Sequence, residues 1–465
     1  MKPSNKEFLL RAVAILLFLC VFGTFFVRFI PSPSGEGMSY DATTTYAKII
    51  ETEMVTNWHS SLFMYEGIVL KWVLQHFVGV SVSGVNVLYA FFWLFSILIC
   101  SSMVILLLRL LSESRMWILF IPAFSALACY GMRHITIGLD YYFLSFLWCE
   151  IIVILLHYHT KVEWKKTVYA CLMLLVLFHL VSYRRNAILY VPVVMGYLMW
   201  TSSYVAHFLK WHKILIWGVS VVLFSFLSIK FVDYVLPVYE EHPLTPMMES
   251  DVRIASILRG EESVLCQMNL VRQKGQADAE GVMCAYWGGA MRPGVEWDYF
   301  KDVYIEEWRK NCDTMVAACI IQRVHFYLGD YGRSWIRSVI ENRYPAVKNN
   351  NKAWNNLFPG MWGKRFIANR IVLALTPLVV WMACMLRRRK LVTSYAGLFV
   401  IVSGLLSIIY ASSFCIVTPT PDYRYLTPSI MLSLLSMFVL LVAMGIEMAK
   451  RCIYRERSRM EDGNM

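Results

Sequence analysis

Charge is what this chain has least of. Asp, Glu, Lys and Arg make up 16% of its 465 residues, while apolar residues make up 58%. A soluble domain carries about 25% charged and 45–50% apolar residues, so a soluble globular protein is excluded. The signatures of several enzyme classes are also missing. There is no Walker loop, GxGxxG, HExxH or paired CxxC, which removes support for nucleotide and structural zinc sites. There is no GxSxG and no Ser-His-Asp constellation, which argues against a serine nucleophile. Internal repeats and low-complexity tracts are absent, and strand signals are weak. The first apolar run, Leu9–Ile30, lacks the marks of a cleaved leader. It exceeds an h-region of about 7–15 residues and has no small-x-small site before Pro31. No small residue precedes Cys20 as a lipoprotein signal requires, so the run is expected to be a retained span.

What the chain does have is long apolar runs and a mean hydropathy of +0.52. A span needs about 20 mostly apolar residues. Ten are expected: Leu9–Ile30, Val85–Leu111, Met116–Met132, Tyr141–His157, Thr167–Tyr183, Ala187–Phe208, Ile214–Leu236, Phe366–Leu386, Leu391–Phe414 and Pro428–Ala449. The fold class is therefore an all-α polytopic membrane protein. The segment Ser61–Val80 is apolar but carries Glu66, Lys71, Gln75 and His76. A charge at mid-bilayer costs about 2.5–3.5 kcal/mol on insertion scales, so an amphipathic helix lying in the interface is expected there.

The net charge of +12 does not indicate nucleic acid, because the basic residues cluster beside the apolar runs. With ten spans, Lys2, Lys6, Arg11, Lys161, Lys165, Lys166, Arg387, Arg388, Arg389, Lys390 and the basic tail from Lys450 to Arg459 share one side. The positive-inside rule makes that side cytoplasmic. The expectation is a multi-pass protein of the plasma (inner) membrane with both termini cytoplasmic. Residues 1–236 and 366–465 form the two parts of the membrane domain, with juxtamembrane helices at about 40–80. Residues 237–365 form a mostly helical outer insertion. It contains Cys266, Cys284, Cys312 and Cys319, whose three possible disulfide connectivities spacing does not rank.

This orientation places the chemically suggestive residues on the outer side. Asp41 follows the first span, ahead of a helical run with Glu51 and Glu53, and Trp58-His59 comes next. Arg133, His134 and Asp140 lie in the second outer loop, Arg184-Arg185-Asn186 in the third, and Asp422-Tyr423-Arg424-Tyr425 in the last. Arginines on this side break the positive-inside pattern. The planar guanidinium fork matches phosphate geometry and stays charged; snorkelling to lipid headgroups is the alternative. Asp41 and Asp140 are candidates for acid–base chemistry and equally for helix capping. His59 is a phosphate or acceptor contact, or a plain interfacial histidine. Glu150 lies mid-span and is left without a role.

These residues together resemble the GT-C superfamily of membrane glycosyltransferases, which take a sugar from a polyprenyl- or dolichyl-phosphate carrier. The resemblance rests on Tyr40-Asp41, Asn57-Trp58-His59, Gly138-Leu139-Asp140, Tyr183-Arg184-Arg185-Asn186, and Asp422-Tyr423-Arg424-Tyr425 before Pro428. Protein O-mannosyltransferases and lipid A aminoarabinose transferases are members. Three departures stand out: Asp41 has no adjacent acid, His59 is followed by Ser60 where many relatives have Pro, and the soluble portion sits between the seventh and eighth spans where several relatives carry theirs at the C-terminus. The resemblance implies inverting transfer to an acceptor hydroxyl on a lipid, glycan or protein at the outer face. Asp41 would be the base, and Asp140 would orient the acceptor or Asp41. Arg184, Arg185 and Arg424 would hold the donor phosphate, with His59, Asn186 and Tyr423 positioning the substrates. No cofactor is required, although Asp41 and Asp140 together could hold a divalent metal. The alternatives are a polysaccharide polymerase or ligase, and a lipid-linked oligosaccharide flippase or other transporter.

Overall fold

The computed structural model describes residues 5–27, 30–32, 38, 41–56, 60–79, 81–132, 138–202, 210–238, 242, 244–271, 291–292, 294–348, 350, 367–386, 394–413 and 426–462. Those residues are nearly all helical. They contain no strand, only an isolated bridge between Val271 and Met291. Eight helical segments are long and apolar enough to cross a membrane: Asn5–Phe26, Gly84–Glu113, Arg115–Met132, Leu139–His159, Glu163–Tyr183, Lys210–Phe231, Tyr395–Ser413 and Thr427–Tyr454. Helices satisfy their own backbone groups, which is what lipid demands of a spanning segment. The chain is a multi-pass, all-α membrane protein.

Two of the ten expected spans are not among the eight. Within Ala187–Phe208 the described structure is a 3-10 turn, Arg185–Leu189, followed by a helix of 12 residues, Tyr190–Thr201. Twelve residues rise about 18 Å, short of a hydrocarbon core of about 30 Å. Within Phe366–Leu386 the helix Ile367–Leu386 contains Pro377, and its described apolar stretch, Ile371–Leu386, is also short.

The membrane helices are numbered in chain order: α1 (Asn5–Phe26), α2 (Ala47–Thr52), α3 (Ser61–Val78), α4 (Gly84–Glu113), α5 (Ile121–Met132), α6 (Leu139–His159), α7 (Glu163–Tyr183), α8 (Tyr190–Thr201) and α9 (Lys210–Val235). The axis of the bundle is α6, 78% of whose spanning window is buried inside the protein. Its partners are α4, α7 and the helix Tyr395–Ser413. At the other extreme, 6% of the α9 window is buried, so this helix lies at the periphery of the bundle. The 18-residue α3 is not among the eight apolar segments. It starts at Ser60, whose hydroxyl accepts the Phe63 N–H at 3.2 Å, and stops at Gly79 with φ 72°. These are the usual start and stop devices of a helix.

The insertion builds a core of its own. Helices α10 (Thr245–Arg259), α11 (Val264–Gln267), α12 (Trp297–Lys310) and α13 (Cys312–Arg343) enclose Val252, Leu258, Leu265, Phe300, Met315 and Val347. Arg259 joins them, reaching Glu307 on α12 at 2.5 Å and Thr314 on α13 at 3.0 Å. No disulfide links Cys266, Cys312 and Cys319; Cys284 lies outside the described residues.

After the insertion come α14 (Ile367–Leu386), α15 (Tyr395–Ser413) and α16 (Thr427–Asp462). A ladder of hydroxyls holds α15 to α16: Ser403 meets Ser436 at 2.6 Å, Ser407 meets Ser433 at 2.7 Å, and Ser407 and Ser429 each donate to the other's carbonyl. Small polar residues are suited to close helix contacts where lipid offers no hydrophobic drive.

Candidate functional site

The two ends of the bundle are chemically different. At one end, which carries residues 41–56 and 60–78, aromatic rings knit the first loop to the spans. Tyr46 packs edge-on to Phe63, and Phe63 contacts Tyr142 at the start of α6 and Tyr183 at the end of α7. At the opposite end, Tyr395 stacks on His159, lies under Arg109 and donates its backbone N–H to Glu113.

The first loop is a braced platform. Asp41–Tyr46 forms a π-helical turn that runs directly into α2. Such turns are rare and recur at functional sites. The α2 segment ends at Glu53, in the left-handed conformation with φ 60°. Lys71 of α3 caps that end, donating to the carbonyls of Ile50 and Glu51 at 3.2 and 3.1 Å and pairing with Glu53 at 3.2 Å. Glu51 in turn accepts the N–H of Gly84 at 2.8 Å, supplying a carboxylate to the N-terminus of α4. Gly84 is required for this approach: a Cβ there would stand 2.1 Å from the carbonyl oxygen of Ala47. Asp41 therefore starts a segment fixed at both edges. The side chain of Asp41 lies outside the described residues, as do His59, Arg133, His134, Tyr423 and Arg424.

The expected residues that are described converge. Asp140, in the first turn of α6, forms an ion pair with Arg184, the residue that ends α7. Asp140 does not cap its own helix through its side chain, since Gly138 holds the cap position. The pair is largely shielded from solvent, with side-chain exposures of 24% for Arg184 and 9% for Asp140. A carboxylate this enclosed needs its counter-charge. Arg185 and Asn186 follow in the 3-10 turn that opens the next segment. Arg185 faces Asp233 of α9 at 3.9 Å and is more exposed.

Other residues belong to this end although their local sequence carries no signal for it. Asp233 lies inside an apolar run and accepts a hydrogen bond from Ser61 at 2.6 Å. Glu66 on α3 accepts from Tyr183 and meets His179 Nε2 at 3.1 Å. The other ring nitrogen of His179 lies 2.8 Å from the carbonyl of Leu175. Phe146 stacks on the same ring at 4.8 Å. As a result α7 is tied to α3, α6 and α9 within its final turn.

A small recess of about 10 Å³, room for about one water, opens between α3, α7 and α9. It is lined by Ser60, Ser61, Ser182, Arg185, Ser228 and Asp233, with Leu62, Val181 and Ile229. Among the described residues no group of three His, Cys, Asp or Glu side chains could hold a metal ion. Searches of protein-family models, curated proteins and solved structures find no match. The reading of the site therefore rests on its own chemistry.

Glu150 is the remaining polar oddity. It is fully buried midway along α6, and neither carboxyl oxygen has a hydrogen-bond partner among the described residues. Among the described residues no hydrogen bond or ion pair links it to the cluster at the first-loop end.

Proposed function

We propose that this protein is an integral membrane glycosyltransferase that moves a sugar from a polyprenyl-phosphate carrier to an acceptor hydroxyl at the extracytoplasmic face. The observation that carries this reading is the Asp140–Arg184 pair. It gathers an acid and a guanidinium, 44 residues apart in sequence, at the end where the Asp41 segment is braced. Arg184, Arg185 and Arg424 would bind the donor phosphate and stabilise the charge that develops on it as the glycosidic bond breaks. The ion pair with Asp140 fixes the plane of the Arg184 guanidinium that would face the phosphate. Asp41 would take the proton of the acceptor hydroxyl as that oxygen attacks the anomeric carbon, with inversion. General-base assistance of this kind is worth about 10²–10⁴-fold. In this scheme Asp140 orients Arg184, and His59, Asn186 and Tyr423 position the substrates.

A polysaccharide polymerase or ligase would use the same arginines and differ in taking a polymer as acceptor. A flippase would need polar groups running through the spans to both faces. Here the charged residues concentrate on the outer side, apart from Glu150 and a few residues near span ends, so the transferase reading is preferred.

The test is sugar transfer from a synthetic polyprenyl-phosphate sugar by purified Asp41→Asn and Arg184→Ala proteins that melt like wild type. Asp41→Asn is expected to lose about 10²-fold or more in turnover, and Arg184→Ala to weaken donor affinity. Full turnover by Asp41→Asn rules out its role as base. Transport of lipid-linked sugar by the wild-type protein in vesicles, without transfer, replaces the transferase with a flippase.

A further inference from the structure

At the end of the bundle opposite the first loop, α7 and α9 begin and α8 stops. Each carries a tryptophan one residue inside that terminus, and Trp164, Trp200 and Trp211 are 65%, 82% and 59% exposed. The three termini are neighbours. Only residues 160–162 separate α6 from α7, and His157 near the end of α6 meets the Tyr197 hydroxyl of α8 at 2.8 Å. Helices α8 and α9 run antiparallel, with Trp217 donating to the Pro192 carbonyl at 2.9 Å, so α9 starts beside the Thr201 end of α8. Around the rings stand Lys161, Lys165, Lys166, Lys210 and Lys213, and the sole acid in residues 157–167 and 197–214 is Glu163. Glu163 is taken by Lys166 at 3.0 Å, and Lys165 lies over the Trp164 ring at 5.5 Å. Lys161 and Lys210 are exposed and have no ion-pair partner among the described residues. Their own helices do not account for these charges. Lys165, Lys166, Lys210 and Lys213 fall in the first turns of α7 and α9, where the positive end of the helix dipole repels a cation. The attraction that offsets this repulsion has to come from outside the chain.

We propose that this collar of tryptophans and lysines is a docking surface for the headgroups of anionic phospholipids. Charge calls for an anion, and position selects a lipid over an acidic protein. The apolar spans α7 and α9 end here, so the rings and ammonium groups stand at headgroup depth, the level at which Trp is enriched. A lysine there lays its stem along apolar surface while its head reaches a phosphate. Each such lysine strengthens attachment to an anionic surface several-fold. The collar is confined to one flank of the bundle. Elsewhere at this end the basic residues of α16 are compensated within the chain: Arg451 pairs with Glu447 at 3.2 Å, and the charge of Lys450 acts on Glu113. This assignment does not depend on the transferase reading.

The test places full-length protein in nanodiscs of phosphatidylcholine and phosphatidylglycerol with matched acyl chains, in equal proportion. Lipids retained by the released protein are counted by native mass spectrometry, and a parallel sample receives polyglutamate. Wild type is expected to retain phosphatidylglycerol several-fold over phosphatidylcholine, with an excess that shrinks as salt is raised. The triple variant Lys161→Gln, Lys165→Gln, Lys210→Gln is expected to bring that ratio close to one. The double variant Lys450→Gln, Arg451→Gln removes charge at the same end of the bundle and is expected to keep the wild-type ratio. Should the triple variant fail to fold, Lys161→Gln with Lys210→Gln replaces it and is judged by the same outcomes. Equal retention of the two lipids by wild type overturns the proposal. So does a preference that the collar variant keeps, or one that both charge variants lose equally, since the attraction then belongs to the whole end of the bundle. Polyglutamate bound by wild type without retention of phosphatidylglycerol assigns the surface to an acidic protein and also overturns it.

Discussion

Two single positions show how the same kind of change meets different surroundings. A Cβ on Gly84 would meet the backbone of Ala47, which cannot turn aside, whereas a Cβ on Gly67 would meet the tip of the Ile50 side chain at 2.6 Å. Gly84→Ala is expected to destabilise the protein by about 1–3 kcal/mol through overpacking. Gly67→Ala, where Ile50 can change rotamer, should cost less. Thermal unfolding in detergent compares them, and equal melting points would contradict the packing of α2 on α4. Glu150 offers the opposite case. Its carboxyl is enclosed without a partner, so Glu150→Leu is expected to raise stability by about 1–3 kcal/mol. A variant that gains stability yet loses sugar transfer would give the carboxyl a functional role. Asp140, Arg184 and Arg185 are conspicuous in sequence because they stand at the edges of apolar runs. Their partners are not. Asp233 is hidden within an apolar run, and Glu66 reads as a penalty for membrane insertion until His179 and Tyr183 are found against it. Contacts across more than 100 residues leave no mark in local spacing.

At the scale of elements, the strongest link is between α3 and α7. Both ring nitrogens of His179 face oxygen acceptors, the Leu175 carbonyl and the Glu66 carboxylate. Glu66→Ala removes the carboxylate shared by His179 and Tyr183, and a hydrogen bond to a charged group is worth about 1.5–3 kcal/mol, less where solvent reaches it. The expected outcome is faster amide exchange along Ser61–Val78, with exchange in α15 unchanged. Tyr183→Phe, which leaves His179 in place, should give a smaller change. Uniform exchange across all helices would instead mean that the bundle loosens as a whole. That α3 is not among the apolar spans was legible from Glu66 and Lys71, because two charges in an apolar stretch disfavour crossing. Its bracing role was not, since Lys71 caps a helix 20 residues earlier in the chain. Spans such as Gly84–Glu113 were legible because an unbroken apolar run is a local signal. The shortness of α8 was not: its apolar run continues past the point where the helix stops at Thr201.

At the scale of the molecule, the insertion and the membrane bundle have separate cores, and they should respond differently to pH. Glu249 on α10 is buried, and that burial holds its carboxyl above the usual carboxylate range despite Arg253 at 3.3 Å. A carboxyl raised by folding binds its proton more tightly in the folded state. Its contribution to stability is complete below the ordinary carboxylate value and is lost as pH climbs through the raised one. The insertion should therefore melt at a higher temperature in mild acid than at neutral pH, and Glu249→Gln should flatten that part of the dependence. A wild-type profile that matches the Gln variant throughout would refute this.

The hydroxyl ladder between α15 and α16 has a mechanical corollary. Paired serines match at a single axial register, so these two helices cannot slide past each other by even one residue without breaking every rung. They act as a stator. Breathing of the bundle falls to helices without such a ladder, among them the peripheral α9, and that is where a spin-label pair should report motion.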